Sequence, residues 1–126
     1  PEIDDLLALK NPTTVQEKRI RNIDYALTVN KMFAEYVAKN KDWMLISYAE
    51  APDLHEAMFD KNTSTFESLF HKYMNDGSVK KVVVPARKIA TKALTESLET
   101  GRIYLFMADE ANRHTPFKDK VYSSNL

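Results

Sequence analysis

The run Ile23-Asp24-Tyr25-Ala26-Leu27-Thr28-Val29-Asn30-Lys31-Met32-Phe33-Ala34-Glu35-Tyr36-Val37 decides the fold class. Ile23, Tyr25, Leu27 and Val29 alternate with Asp24, Ala26 and Thr28, a period of two that belongs to a strand. After Asn30 the period changes. Met32, Phe33, Tyr36 and Val37 recur at helical spacing, and the Asn30 side chain can accept from amides of the first turn. A strand passing directly into a capped helix that ends near Lys39-Asn40 is a β/α unit. The same grammar extends downstream. Trp43 to Tyr48 is apolar except for Ser47 and reads as a second strand, and Ala51-Pro52-Asp53 opens a short helix through Phe59. Ser64 with Glu67 three residues on has the form of a capping box. Behind it Phe66, Leu69, Phe70, Tyr73 and Met74 define one helical face, read as core, and Asp76-Gly77 ends that helix.

The next helix is expected from near Pro85, well placed in a first turn, to Thr100, with Ile89, Ala90, Ala93, Leu94 and Leu98 as its buried stripe and Gly101 as its C-terminal stop. Arg102 to Met107 is a third strand, placing Arg102, Tyr104 and Phe106 on one face and Ile103, Leu105 and Met107 on the other. Upstream, Ile3 to Leu9 carries a short apolar cluster with Asp4 and Asp5 near its start, Asn11-Pro12 stops it, and Thr13 to Asn22 is polar. The tail from Ala108 to Leu126 reads as polar and irregular. Strand, helix, strand, helices, strand in this order predicts parallel pairing in an α/β architecture. Three strands neither close a barrel nor cover both faces of a parallel sheet, so the chain reads as a piece, incomplete at both ends, of one larger domain.

Composition removes several functions. Eighteen basic side chains balance eighteen acidic ones, which argues against a nucleic-acid or membrane-surface partner. No cysteine is present, so there is no disulfide framework, thiolate metal site or thiol nucleophile. Average usage would give roughly nine glycines in this length. The chain has two, too few for a P-loop or a G-x-G-x-x-G fingerprint. With no long apolar run, the expectation is a cytoplasmic α/β segment. His55, His71 and His114 fall on three different elements without ligand spacing, so no metal site is expected. Ser123-Ser124 beside Asn125 offers hydroxyls without flanking turn glycines or an identifiable base. Lys80-Lys81 and Arg87-Lys88 form a basic cluster around a helix start, balanced by Glu96 and Glu99, and read as a solvated face. No complete catalytic constellation emerges from these residues alone.

Five strings nevertheless stand out: PEIDDLLALKN (1–11), RIRNIDYALTVNKMF (19–33), EAPDLHEAMF (50–59), ETGRIYLFMADEANRHTPF (99–117) and SSNL (123–126). In this order and spacing the chain resembles the catalytic, large (alpha) subunit of class I ribonucleotide reductase. The resemblance implies a part, about a half-barrel or less, of a ten-stranded α/β barrel with helices flanking parallel strands. In that family a finger loop inside the barrel reads Ser-Asn-Leu-Cys-x-Glu, and its cysteine thiyl radical abstracts hydrogen from the substrate ribose. The present chain stops at Leu126, one position short of that cysteine. Since protein splicing needs a Cys, Ser or Thr after an intein, the expectation is an N-extein or split-gene half, joined later to a Cys-initiated remainder and inactive alone.

The resemblance assigns residues. Asn125, with Ser124 beside it, matches the ribose site, where a primary amide can donate to and accept from sugar hydroxyls; on residue physics alone Asn125 is a turn asparagine. Arg102 and Tyr104 match the strand facing the tyrosines that carry the radical toward the cysteine, while a strand-end arginine and a core tyrosine remain the plain reading. No cofactor is expected on this stretch. The complete enzyme would need a small (beta) subunit with a metal–radical cofactor, a thioredoxin- or glutaredoxin-type reductant, and ATP or dNTP effectors whose sites precede Pro1. Its partners would be the rest of the large subunit, the small subunit, a ribonucleoside diphosphate and a second large subunit. Three departures stand out: Tyr48 where the family often has proline, Ala111 where many members have cysteine, and a short variable segment from Lys118 to Ser123. The reading from a different class is a non-catalytic helical interaction module whose apolar stripes dock on a partner.

Overall fold

The computed structural model describes residues 24–101 and 103–122. The stretches expected at Ile3 to Leu9 and Thr13 to Asn22 lie outside the described residues, as do Ile23, Arg102, Ser124 and Asn125. Strand β1 (Tyr25–Val29) leads through Asn30 into helix α1 (Lys31–Ala38). The switch of period falls where the sequence places it. Asn30 Oδ1 accepts from the Phe33 amide at 3.0 Å, and Met32 and Phe33 are buried. Strand β2 (Asp42–Ile46) and the short helix α2 (Pro52–Ala57) follow, then α3 (Thr63–Asn75).

Helix α3 buries Phe66 and Phe70 and packs Leu69, Tyr73 and Met74 against the same core. That core is organised around Trp43 of β2. Its indole meets Phe33 and Tyr36 edge-on at 5.2 and 5.5 Å and Phe70 at 4.6 Å. Such pairs contribute about 0.5–1.5 kcal/mol each beyond their burial. The N-cap of α3 is not the expected capping box. Asn62 Oδ1 takes the Ser64 amide at 3.1 Å, so the helix starts one residue before Ser64 and Ser64 lies within its first turn. The end at Asp76-Gly77 agrees with the expectation, Asp76 Oδ1 accepting from the Ser78 amide and hydroxyl at 2.9 and 2.6 Å.

Strand β3 (Lys81–Pro85), helix α4 (Ala86–Thr100), strand β4 (Ile103–Met107) and helix α5 (Ala108–His114) complete the described chain. Two of these were not expected. Val82-Val83-Val84 has no alternation to mark β3, and Ala-Asp-Glu-Ala-Asn-Arg-His has no apolar stripe to mark α5. Its helix is instead favoured by Asp109 and Glu110 in the first turn and Arg113 and His114 in the last, which suit the helix dipole.

Pairing is parallel only in part. β1 and β4 are parallel, Tyr25 opposite Ile103 and Val29 opposite Met107, while β2 and β3 are antiparallel, Asp42 opposite Pro85. The expected all-parallel arrangement is thus corrected by the strand that lacked a signal. Among the described residues the architecture is mixed α/β, with two two-stranded sheets and no closed barrel.

Helix α4 also departs from expectation. Its inward face is Ala86, Ile89, Ala93 and Glu96, whereas Leu94 is 52% exposed and Leu98 87% exposed. Positions 86, 89, 93 and 96 recur at helical spacing, so the helix carries two apolar stripes and the smaller one wins the core. Glu96, expected on a solvated face, is buried with its carboxylate 3.7 Å from Lys92 Nζ. Gly101 ends the helix in the left-handed region at φ 66°, its amide donating to Ser97 O at 2.7 Å, as a C-terminal glycine should.

Candidate functional site

In α/β units, polar residues that do chemistry gather at the carboxyl ends of parallel strands. β1 and β4 run in step, so their ends coincide at Val29 and Met107. Three fully buried polar side chains follow directly: Asn30, Asp109 and Asn112. Asp109 joins the two corners. Its Oδ2 accepts from the Lys31 amide, the first of α1, at 2.9 Å, and its Oδ1 accepts from the Glu110 amide at 2.9 Å. A carboxylate at the amino end of α1 is also favoured by the helix dipole. The Asn30 Nδ2 finds no acceptor among the described residues, a buried donor left open at the strand ends.

Asn112 faces the other way, toward the tail. Its Oδ1 accepts from the Val121 amide at 2.7 Å, and its Nδ2 donates to Val121 O at 2.8 Å and Ala108 O at 2.9 Å. Lys120 Nζ lies 2.5 Å from Asp60, and that contact raises the lysine pKa above its ordinary value. The Tyr122 ring packs on Phe59 at 4.8 Å. A cleft of about 360 Å³ opens beside this anchorage, lined by Asn62, Thr65, Asn112 and Lys118 among others. A smaller, mostly apolar pocket of about 110 Å³ lies between Leu27, Thr28, Phe33, Trp43 and Ile89.

Tyr104, the one expected site residue within the described chain, sits on β4 opposite Ala26 and is 44% exposed. No described residue hydrogen-bonds its hydroxyl. The histidines are held separately. His55 Nε2 is 3.1 Å from Ile46 O, His71 meets the Phe70 ring, and His114 lies 3.3 Å from Glu110. Among the described residues no three His, Cys, Asp or Glu side chains converge as metal ligands, and no helix is long and apolar enough to cross a membrane. The basic cluster does more than face solvent: Arg87 donates to Val37 O at 2.8 Å and Ala38 O at 3.0 Å, closing the carboxyl end of α1. Asp109 and Asn112 were not singled out from sequence.

A strand–helix chain whose parallel strands end together at buried polar groups is a piece of an α/β enzyme scaffold. The chain belongs to the ribonucleotide reductase family: the model of the ribonucleotide reductase barrel domain matches residues 1–126. It is 36% identical over 120 residues to the ribonucleoside-diphosphate reductase subunit alpha of Haemophilus influenzae and to subunit alpha of reductase 1 of Escherichia coli, covering 95% of this chain in each case. To the large subunit of Arabidopsis thaliana it is 33% identical over 127 residues. The chain spans about 16% of the length of these bacterial relatives and 15% of the plant one.

Proposed function

We propose that this chain forms part of the catalytic barrel of a ribonucleoside-diphosphate reductase large subunit, which reduces ribonucleotides to 2′-deoxyribonucleotides by cysteine thiyl-radical chemistry. The observation that carries the reading is the barrel-domain match along residues 1–126. The chain contains no cysteine, so the sulfur belongs to another stretch of the large subunit. Its own contribution is scaffold and an amide. Asn125, with Ser124 beside it, orients the ribose by donating to and accepting from its hydroxyls without changing charge. Tyr104, with Arg102 two positions earlier on the strand, lines the route by which the radical reaches the cysteine; an arginine there can stack on or hydrogen-bond a tyrosine ring.

The metal–radical cofactor belongs in this reading to the small subunit. The reductant is a thioredoxin or glutaredoxin type of protein, nucleotide effectors act elsewhere on the large subunit, and a second large subunit completes a homodimer. The test combines this chain with the remainder of the subunit starting at the family's radical cysteine, adds the small subunit, and measures deoxyribonucleotide formation. Recovered turnover that Asn125→Ala abolishes is the expected result. A chain that melts cooperatively alone, ignores that partner and restores no activity overturns the reading in favour of a helical interaction module.

A further inference from the structure

We propose that the outward face of helix α4, marked by Leu94 and Leu98, is packed by a helix from another stretch of the same large subunit. The inference rests on the chain being part of that subunit and adds to it a contact outside the core already described. α4 has three faces rather than two. Ala86, Ile89 and Ala93 look into the core. Lys88, Lys92 and Glu99 recur at helical spacing along a second side that suits water. Leu94 and Leu98, four apart and so stacked on one face, belong to neither side, and they are 52% and 87% exposed. A helix that only covers a sheet needs one apolar and one polar side, and α4 already has both.

The third face has the relief that a second helix needs. Thr91 and Thr95 run beside the leucines, and an open depression of about 400 Å³ follows these threonines. A leucine ridge next to a groove over short side chains is what ridges-into-grooves packing uses. Arg87, seven positions before Leu94 and on the same side of the helix, turns its guanidinium to Val37 O at 2.8 Å and Ala38 O at 3.0 Å. Covering the leucines therefore buries no charge without a partner. Size decides the occupant. An interface between separate chains buries about 1,200–2,000 Å², far more than two leucines and two threonines offer. A segment of the same polypeptide needs no such area, because its connection already holds it nearby. Such segments are plentiful: the chain spans about 16% of the length of its bacterial relatives. The occupant is thus an apolar-faced helix of the large subunit itself, not a second copy and not the small subunit.

The test is made in the complete large subunit carrying this sequence, with its small subunit present. Leu98→Cys is labelled with a maleimide and the modified peptide is quantified by mass spectrometry. Labelling at least about 50-fold slower in the native protein than in urea is expected, since a covered site reacts only when it opens; a smaller difference overturns the proposal. In a second preparation Leu94 is replaced by photoreactive benzoylphenylalanine. The expected product has the mass of one large subunit and joins position 94 to a peptide outside this stretch. A product with the mass of two subunits, a link back into this stretch, or no product overturns the proposal. If Leu98→Cys does not fold, Leu98→Ala is read by its melting temperature. A fall of several degrees supports the contact, and an unchanged value, as at an open surface site, overturns it. Deoxyribonucleotide formation by the unmodified subunit is measured alongside. Its absence refutes the reductase reading itself, whereas full turnover beside rapid labelling of Leu98→Cys refutes only the helix contact.

Discussion

Replacing Asp109 by asparagine tests the corner at the carboxyl ends of β1 and β4. Two main-chain amides, those of Lys31 and Glu110, each at 2.9 Å, donate to different oxygens of a fully buried carboxylate. Asp109→Asn keeps one oxygen. Whichever amide it serves, the other then faces an NH2 group, and a buried N–H without an acceptor costs about 1–3 kcal/mol. Removing negative charge from the first turn of α1 subtracts about 0.3–1 kcal/mol more. Relief from burying a charge works in the opposite direction, leaving an expected net loss of about 2 kcal/mol by this arithmetic. Urea unfolding followed by far-ultraviolet circular dichroism measures it. With slopes of about 1–3 kcal/mol per molar urea, the midpoint should fall by about 1 M at unchanged slope. Asp109→Ala, which orphans both amides, should fall further. An Asp109→Asn midpoint within about 0.2 M of the parent, where the slope resolves a fraction of a kcal/mol, refutes the view that both bonds hold this corner.

Three more outcomes follow from the geometry. The Tyr73 hydroxyl donates to Asp53 at 2.7 Å and holds that carboxyl below its ordinary range; the contribution is present above the ordinary carboxylate pKa of about 4 and is lost as pH falls through the lower folded value. Tyr73→Phe should therefore return the Asp53 titration, followed by carboxyl NMR, toward that ordinary value, and an unmoved titration contradicts the bond. Gly101 has φ 66° and open space where a Cβ would stand, so Gly101→Ala should cost about 1 kcal/mol through backbone strain alone, read as a lower melting temperature. Tyr104→Phe in the complete enzyme should slow turnover and alter radical behaviour by electron paramagnetic resonance, and unchanged values of both remove Tyr104 from the radical route.

What the sequence disclosed depended on how local the deciding physics was. β1 and α1 were legible because the period changes at Asn30, a cap whose partner is three residues away. The aromatic face of α3 was legible for the same reason. β3 was hidden because three consecutive valines carry no period, and its antiparallel partner is chosen by tertiary packing. α5 was hidden because its helix is favoured by charges at its ends rather than marked by an apolar stripe. On α4 both Leu94 and Leu98 outrank Ala93 in hydrophobicity, yet it is Ala93 that packs against Ile103 of β4 and Leu27 of β1. The candidate site divides likewise. Tyr104 lies on its strand as expected, Arg102, Ser124 and Asn125 fall outside the described residues, and the importance of Asp109 and Asn112 is set by partners remote in sequence.

The parallel pair has a consequence for how the chain is made. Lys31 and Asp109, which tie the β1 corner to the β4 corner, are 78 residues apart, and among the described residues β1 has no hydrogen-bonded neighbour until β4 has been synthesised. At about 5–20 residues per second, translation leaves that edge open for seconds, while β2, β3 and the aromatic cluster between them can already close. The nascent segment should thus acquire its Trp43-centred half first and hold β1 as the exposed, aggregation-prone edge that a ribosome-associated chaperone would meet.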